Sequence, residues 1–216
     1  MDAFSTVSHH AEDLHAWQIL RPLLDKGNYL PWSTGSMRPA GMVIVCNDIV
    51  HGDRRSIVEC GSGISTVLWA RLLRQRGGGT VTAIEHDRHW ATLVNDLLAR
   101  ESLQDIARVV HAPLAGEPAW YEPGVLNSLP AAVDLLIVDG PPAHAPGMGL
   151  ARLPALARLE SRLTETAAVL LDDIGRPGEQ EVLATWQHNQ AWQFSIHEAA
   201  GIVAGRRSPA GDAPTD

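Results

Sequence analysis

The segment from Ser56 to Thr66 restricts the fold more than any other part of the chain. It places the β-branched pair Ile57-Val58 before Glu59 and the turn Gly61-Ser62-Gly63, and an apolar helical pattern follows at once. Glycine has no Cβ, so such a turn can be tight and a ligand can approach its backbone. A strand, a glycine turn and a helix in this order are typical of the start of a nucleotide-binding βαβ unit, although an ordinary βα turn shares the pattern.

Alternating strand and helix patterns continue along the rest of the chain. The pattern predicts helices over 11–25, 40–51, 64–76, 87–98, 150–162 and 178–189. It predicts strands over 57–60, 80–85, 107–111, 134–139 and 167–172, then a closing pair over 194–196 and 201–204. Strands that alternate with helices and end in a hairpin indicate a doubly wound α/β fold, with a mostly parallel seven-stranded sheet and a terminal antiparallel hairpin.

The length of 216 residues favours a single main domain. We expect an N-terminal helical cap over 1–35, the main α/β domain over 36–207 and a flexible tail over 208–216. The chain contains no internal repeat and no linker-like stretch that would divide it further.

The charge and the cysteine content restrict the partners. The net charge is −8 and no run of Lys and Arg stands out, which argues against nucleic acid or a membrane surface as the main partner. The start of the chain carries His9, His10 and Glu12 where a signal peptide would be basic and apolar. Cys46 and Cys60 do not have the spacing of metal ligands. We therefore expect a cytoplasmic protein, and leave a homodimer open.

Acidic residues end four of the predicted parallel strands. In doubly wound sheets ligands bind beyond the carboxyl ends of the strands. Glu85, after the second strand, suits the two hydroxyls of a ribose. A pyrophosphate would require a third glycine and no nearby acid, whereas this turn has Thr66 and Glu59. These residues favour S-adenosylmethionine, which has an amino group, a ribose and no phosphate, over a nicotinamide cofactor.

With these features the sequence resembles the class I S-adenosylmethionine-dependent methyltransferases. The segment Glu59-Cys60-Gly61-Ser62-Gly63 is similar to their first motif, and Glu85 to their ribose-binding acid. The resemblance extends from about Ser36 to Arg206. Within that superfamily, Val138-Asp139-Gly140 and Leu171-Asp172-Asp173 are most similar to the cation-dependent O-methyltransferases of the catechol and caffeoyl-CoA type.

The resemblance implies a set of residues that bind S-adenosylmethionine. Ser36 and Met37 align with the segment that closes over the methionine part, and Ala112 and Pro113 would form one wall of the adenine slot opposite His86. The whole expected set is Ser36, Met37, Glu59, Gly61, Gly63, Thr66, Glu85, His86, Ala112, Pro113 and Asp139.

The resemblance also implies that Asp139, Asp172 and Asp173 hold Mg²⁺. Three carboxylates at one sheet edge would repel one another without a cation between them, and Mg²⁺ prefers oxygen ligands. An alternative is that Asp173 caps the next helix or pairs with Arg176, and that Asp172 is an ordinary strand-end residue.

The catalytic residues expected are Asp139 and His144. The resembled enzymes have a lysine base shortly after the first metal-binding aspartate. Here the corresponding stretch ends in His144 and contains no lysine, so His144 is the natural substitute as general base. The alternative is an exposed loop histidine without a catalytic role.

The expected activity is methyl transfer from S-adenosylmethionine to a small molecule, at oxygen and with Mg²⁺. The acceptor is aromatic or glycosidic, and Trp32, Trp120, Tyr121 and Met148 are candidates to line its pocket. Three alternatives stay open: a metal-independent methyltransferase of a sugar, amine or carboxylate, a non-catalytic S-adenosylmethionine-binding accessory module, and, least favoured, a nicotinamide-dependent reductase.

Overall fold

The structure is a computed structural model that describes residues 3–208. The tail expected over 208–216 lies outside the described residues except for Ser208. Two helices come first, α1 (Ala3–Leu24) and α2 (Pro39–His51). The elements that follow in chain order are β1 (Ser56–Cys60), α3 (Ile64–Gln75), β2 (Thr80–Glu85), α4 (Arg88–Arg100), β3 (Ala107–His111), β4 (Leu114–Ala115), β5 (Trp120–Tyr121), α5 (Pro123–Leu126), β6 (Val133–Val138), α6 (Pro154–Leu159), β7 (Leu163–Leu171), α7 (Pro177–Trp186), β8 (Trp192–His197) and β9 (Ile202–Arg207).

Seven of the strands form one sheet in the order β3-β2-β1-β6-β7-β9-β8. The five strands from β3 to β7 in this order are parallel, whereas β9 runs antiparallel to β7 and β8 antiparallel to β9. This arrangement confirms the predicted doubly wound sheet with its terminal hairpin. The direction of winding reverses between β1 and β6, and such a switch point is where open α/β sheets bind ligands.

Several elements differ from the sequence prediction. Helix α1 begins at Ala3 rather than at residue 11, and the short helix α5 was not predicted. The Pro/Gly-rich passage after β3 contains a separate two-stranded antiparallel sheet, β4 with β5. The helix expected over 150–162 is restricted to Pro154–Leu159, because residues 150–153 form turns. Strand β7 begins at Leu163 rather than at Ala167, since its first part carries the polar residues Thr164–Thr166, which are half-buried or exposed and do not give an apolar pattern.

Apolar side chains fill both faces of the sheet. Strands β1 and β6 are buried almost throughout, as expected for parallel strands that are covered on both sides. Helix α1 joins the same core through Ala16, Leu20 and Leu23. Its end is fixed by Arg71 on α3, whose guanidinium donates to the carbonyl of Leu23 at 2.7 Å. No helix within residues 3–208 combines the length and the apolar character that a membrane crossing requires.

Candidate active site

A cleft of about 370 Å³ lies at the carboxyl ends of the central strands β1 and β6. It brings together most of the residues that the sequence indicates. Those that line it are Ser36, Met37, Glu59, Gly61, Gly63, Glu85, His86, Asp139, His144 and Asp173. Four further predicted residues, Thr66, Ala112, Pro113 and Asp172, are not part of its lining.

The two glycines of the turn after β1 serve different purposes. Gly61 has a φ of +93°, which L side chains rarely adopt, and a Cβ there would lie 3.1 Å from the carbonyl oxygen of Asp139. Gly63 has extended backbone, and a Cβ there would meet no heavy atom within 4 Å. Gly61 is therefore required by the fold of the turn, whereas Gly63 leaves open space in the cleft.

Glu59 is buried, and its carboxylate is engaged by α3. It accepts hydrogen bonds from the hydroxyl of Ser65 at 2.7 Å, from the indole of Trp69 at 3.0 Å and from the hydroxyl of Thr66. Burial raises the pKa of Glu59 to about 7, although these three donors oppose the shift. Thr66 thus faces Glu59 rather than the cleft, and its Oγ1 also accepts the backbone amide of Gly63 at 3.1 Å. Thr66 therefore contributes to the first motif by supporting the turn, through its hydrogen bonds to Gly63 and Glu59.

Glu85 is buried at the end of β2 and is held by backbone amides on both sides. One carboxylate oxygen accepts the amide of Ser62 at 3.0 Å, and the other accepts the amide of Asp87 at 2.9 Å. The imidazole Nδ1 of His86 lies 2.8 Å from the second oxygen. These contacts fix the direction of the carboxylate at the cleft wall. The hydroxyl of Ser62 also donates to the first oxygen at 3.2 Å, so a ribose hydroxyl that binds there would take the place of this side-chain hydrogen bond.

The predicted adenine slot differs from the structure on one side. His86 lines the cleft as predicted. Ala112 is fully buried and Pro113 is exposed to solvent, and neither of them lines the cleft. The amide of Ala112 donates to the carbonyl of Glu85 at 2.7 Å, which keeps this segment paired beside β2. A flat side chain is supplied instead by Trp90 on α4, which lines the cleft and donates its indole N–H to the carbonyl of Ser62 at 2.7 Å.

Asp139, Asp172 and Asp173 form an acid cluster at the ends of β6 and β7. Each offers a carboxylate oxygen, and these oxygens lie within 4.8 Å of one another. Burial, and then the charges of the neighbouring aspartates, raise the pKa of Asp172 well above its usual range. The pKa of Asp139 is raised to about 7, again chiefly by burial. Asp173 has a φ of 65°, a left-handed conformation of the kind found at strained functional sites.

A buried guanidinium, Arg152, lies against this acid cluster. Only 3% of its side chain is exposed, and it lies 3.2 Å from a carboxylate oxygen of Asp139 and 3.1 Å from one of Asp173. Glu179 on α7 is 3.5 Å away. Arg176 pairs with Asp173 at 2.6 Å, so the pairing considered as an alternative from the sequence is present. The cluster is therefore partly neutralised by the protein itself.

Several polar residues also line the cleft. His144 is exposed and lines it together with Ser33, Gly35 and Arg176. Of the four residues expected in an acceptor pocket, only Tyr121 lines the cleft, and it is almost fully buried. The others lie elsewhere: Trp32 packs against Trp17 with ring centroids 4.5 Å apart and planes tilted by 42°, Trp120 is buried against Tyr121, and Met148 lies outside the lining.

A family model described as a methyltransferase domain matches residues 58–174, which is more than half of the chain. The chain belongs to this methyltransferase family. The match covers the glycine turn, the ribose-type acid Glu85 and the whole acid cluster. It confirms the resemblance to the class I S-adenosylmethionine-dependent methyltransferases that the sequence motifs indicate.

Solved structures share the fold of this methyltransferase at low sequence identity. The Podospora anserina methyltransferase PaMTH1, bound to SAH, aligns with a TM-score of 0.66 and 12% identity over 91% of this chain and 88% of that one. A candidate caffeoyl-CoA O-methyltransferase from Staphylococcus aureus aligns with a TM-score of 0.64 and 13% identity, over 94% of this chain and 100% of that one. An O-methyltransferase from Bacillus cereus in complex with SAH aligns with a TM-score of 0.56 and 18% identity, over 91% of each chain. A comparison with curated protein sequences gives no match.

Two residues of the methyltransferase site could not be found by reading its sequence. Trp90 follows the apolar spacing of α4, which is typical of a core residue, whereas the structure turns it towards the cleft. Arg152 lies in a segment of turns before α6. The chain has sixteen arginines, and no motif around Arg152 distinguishes it from the others. Its one signal is that the three carboxylates of Asp139, Asp172 and Asp173 come together at the strand ends and require a counter-charge.

Proposed function

We propose that this methyltransferase transfers the methyl group of S-adenosylmethionine to an oxygen of a small, hydroxyl-rich acceptor, and that Mg²⁺ assists the reaction. The observation that carries the proposal is that Glu85, the glycine turn and two members of the acid cluster, Asp139 and Asp173, line the same cleft. An acid of the ribose-binding type suits a nucleoside cofactor. A group of carboxylates beside it suits a cation that would activate an acceptor hydroxyl. The SAH complexes of the Podospora anserina and Bacillus cereus proteins support the cofactor part.

The cofactor is proposed to lie across the turn after β1. Glu85 would accept the ribose hydroxyls, Gly63 leaves room for the close approach of the cofactor, and His86 and Trp90 offer flat side chains beside the ribose. Ser36 and Met37 line the cleft at the other end, where the methionine part would be held. Glu59 acts through α3 and the turn, because its carboxylate is occupied by Ser65, Thr66 and Trp69.

The charges around the acid cluster fit a divalent cation. Asp139, Asp172, Asp173 and Glu179 bring four negative charges when ionised, and Arg152 and Arg176 bring two positive ones, which leaves −2. Asp139, Asp172 and Asp173 would hold the ion, since hard cations such as Mg²⁺ take carboxylate oxygens. A bound Mg²⁺ would lower the pKa of an acceptor hydroxyl and so make it a better nucleophile.

A metal-independent reaction is the second candidate function, and Arg152 is the observation that favours it. Its guanidinium already faces Asp139 and Asp173, so the protein supplies part of the positive charge without an ion. In that mechanism Asp139 would orient the acceptor directly. The two candidates differ in their response to chelation, which should abolish only the Mg²⁺-assisted reaction.

The polar side chains of the cleft favour a glycosidic acceptor over an aromatic one. Among the lining residues, Ser33, His144, Asp173 and Arg176 donate or accept hydrogen bonds. An aromatic acceptor would gain little from them, because rings bind to apolar and aromatic walls. A sugar would present several hydroxyls to these polar groups. A reducing, cytoplasmic location completes the proposal, and it is consistent with the two free cysteines, Cys46 and Cys60.

The cofactor assignment is tested by Glu85→Gln. The amide keeps the shape of the carboxylate but can accept at only one of its two terminal atoms, so S-adenosylmethionine should bind about 1.5–3 kcal/mol more weakly, the range for hydrogen bonds to a charged group. Isothermal titration calorimetry measures the change. Glu165→Gln, an exposed site on β7, is the control and should bind like the wild type. Unchanged affinity in Glu85→Gln, or no binding by the wild type, contradicts the assignment.

His144 is proposed as the general base. As the acceptor oxygen bonds to the methyl carbon and the carbon–sulfur bond of the sulfonium breaks, the hydroxyl proton would pass to its imidazole. His144→Ala should therefore lower kcat by roughly 10²–10⁴. Calorimetry should find the affinity for S-adenosylmethionine unchanged, because no cofactor contact is assigned to this residue. His188→Ala, outside the cleft, is the matched control. Near-normal turnover in His144→Ala would return it to an exposed loop histidine.

A further inference from the structure

We propose that Arg152 is a positioning residue, which holds Asp139 and Asp173 in the arrangement that a cation or an acceptor requires. The inference rests on the proposed function of the cleft and assigns a role within it to a residue that no motif indicates. Arg152 lies in the floor of the cleft with only 3% of its side chain exposed, so it acts mainly through the carboxylates that it contacts.

The guanidinium joins three segments that must be held together for the cluster to exist. At the end of β6, Nη2 donates to the carbonyl oxygen of Asp139 at 3.1 Å and to its carboxylate at 3.2 Å. At the end of β7, Nη1 donates to the carbonyl oxygen of Asp172 at 3.1 Å, and the carboxylate of Asp173 lies at the same distance. Nε donates to the carbonyl oxygen of Pro141 at 3.3 Å, in the loop that leads to His144.

These contacts use the shape of the guanidinium as well as its charge. Arginine has five N–H donors in a fixed plane, and here they reach carbonyl and carboxylate oxygens on two strands and one loop. A lysine ammonium has the same charge but is a single point with three donors, so it cannot span these positions. Groups that hold metal ligands from behind in this way commonly change metal affinity by 10–100-fold when they are replaced.

The charge of Arg152 and its geometry predict opposite effects, which permits a sharp test. A cation next to a bound cation is repulsive, so loss of the charge alone would strengthen binding of a divalent ion. Loss of the contacts that position Asp139 and Asp173 would weaken binding of the ion. Arg152→Lys keeps the charge and removes the planar fork, so it isolates the geometric contribution.

The matched control is Arg54, a second buried arginine at the opposite end of β7. It pairs with Asp48 at 2.8 Å and also donates to the carbonyl of Thr166, so its surroundings resemble those of Arg152. Arg54→Lys should lower the melting temperature as Arg152→Lys does. Only the variant at Arg152 should change the site.

The experiment measures Mn²⁺ affinity, used as the probe ion, in the wild type and both variants by electron paramagnetic resonance. S-adenosylmethionine affinity and melting temperature are measured in parallel. We expect Arg152→Lys to bind Mn²⁺ at least about tenfold more weakly, with the cofactor affinity within twofold of the wild type. Arg54→Lys should bind Mn²⁺ normally. Equal Mn²⁺ affinity in Arg152→Lys and the wild type, or an equal loss in Arg54→Lys, overturns the proposal.

A crystal structure of Arg152→Lys decides the question even if the wild type binds no Mn²⁺. That result would remove the cation from the proposed function but would leave the positioning claim open to direct observation. We expect the carboxylates of Asp139 and Asp173 to separate, so that the oxygens of the cluster no longer lie within 4.8 Å of one another. An unchanged cluster in the variant would show that Arg152 does not position it.

Discussion

Exhaustive chelation should abolish methyl transfer, and added Mg²⁺ should restore it. The expectation follows from the charge of −2 that Asp139, Asp172, Asp173 and Glu179 carry beside Arg152 and Arg176 when all four are ionised. Without the ion nothing at the cluster would lower the pKa of an acceptor hydroxyl. The measurement is turnover after EDTA treatment and dialysis, with and without Mg²⁺, in protein whose binding of S-adenosylmethionine has been verified. Full activity in the metal-free protein rules out the cation mechanism and leaves Arg152 as the charge that organises Asp139.

Asp172→Asn should weaken cation binding without lowering the stability of the metal-free protein. Burial and the charges of Asp139 and Asp173 raise the pKa of Asp172, so its ionised form is destabilised by the protein. Its replacement should leave the metal-free protein as stable as the wild type or more so, while Mg²⁺ binds less tightly. The increase in melting temperature on addition of Mg²⁺ should then be smaller, since that increase depends on the ratio of free ion to Kd. Asp134→Asn at the start of β6, which accepts two backbone amides away from the cluster, should retain the full increase.

The pH dependence of the metal-free protein should have a definite sign. The pKa of Asp139 is about 7 in the folded protein, against 3.8 for a free aspartate. Between these values the folded state binds more protons than the unfolded state, so stability falls as pH rises from about 4 to 7. Glu59, with a pKa raised to about 7 by burial, contributes in the same direction. Mg²⁺ should reduce the contribution from the acid cluster and leave that of Glu59 unchanged, which thermal unfolding across this pH range can measure.

The fold could be predicted because its central strands are buried on both sides. In β1 and β6 nearly every residue is buried, so the sequence shows short apolar runs that end in Cys60 and Val138. Parallel strands place their carboxyl ends on one edge, and from this alone Glu85 and Asp139 are expected near one another. The start of β7 was missed for the opposite reason, since the half-buried or exposed residues Thr164–Thr166 follow no apolar pattern.

The site could be predicted only where backbone topology decides the position of a residue. Glu85 and Asp139 follow strand ends, and both line the cleft. Thr66 follows the turn by a few residues, but which way its side chain faces depends on the hydrogen bond to Glu59. Arg152 reaches the cluster through a long side chain from a turn, and Trp90 reaches the cleft from a helix. Contacts of this kind depend on side-chain direction, which sequence spacing does not specify.

Replacement of Gly61 should remove cofactor binding altogether. At a φ of +93° any L side chain is strained, and the Cβ of Gly61→Val would lie 3.1 Å from the carbonyl oxygen of Asp139, with two further methyl groups to place. The turn and the end of β6 would have to separate, and both line the cleft. We expect no detectable binding of S-adenosylmethionine by calorimetry and a lower melting temperature.

Variants at two other glycines separate the two causes of this effect, which are backbone strain and loss of space for the cofactor. Gly77, just after α3, has a φ of +86° and open space around its Cβ position, so Gly77→Val should show the backbone strain, on the order of 1–2 kcal/mol for a left-handed residue, with normal cofactor binding. Gly63 has extended backbone and an open Cβ position in the cleft, so Gly63→Val should fold normally and bind the cofactor weakly. Only Gly61→Val should lose both properties. If it binds S-adenosylmethionine like the wild type, the turn after β1 is a structural turn, and the cofactor must lie elsewhere in the cleft.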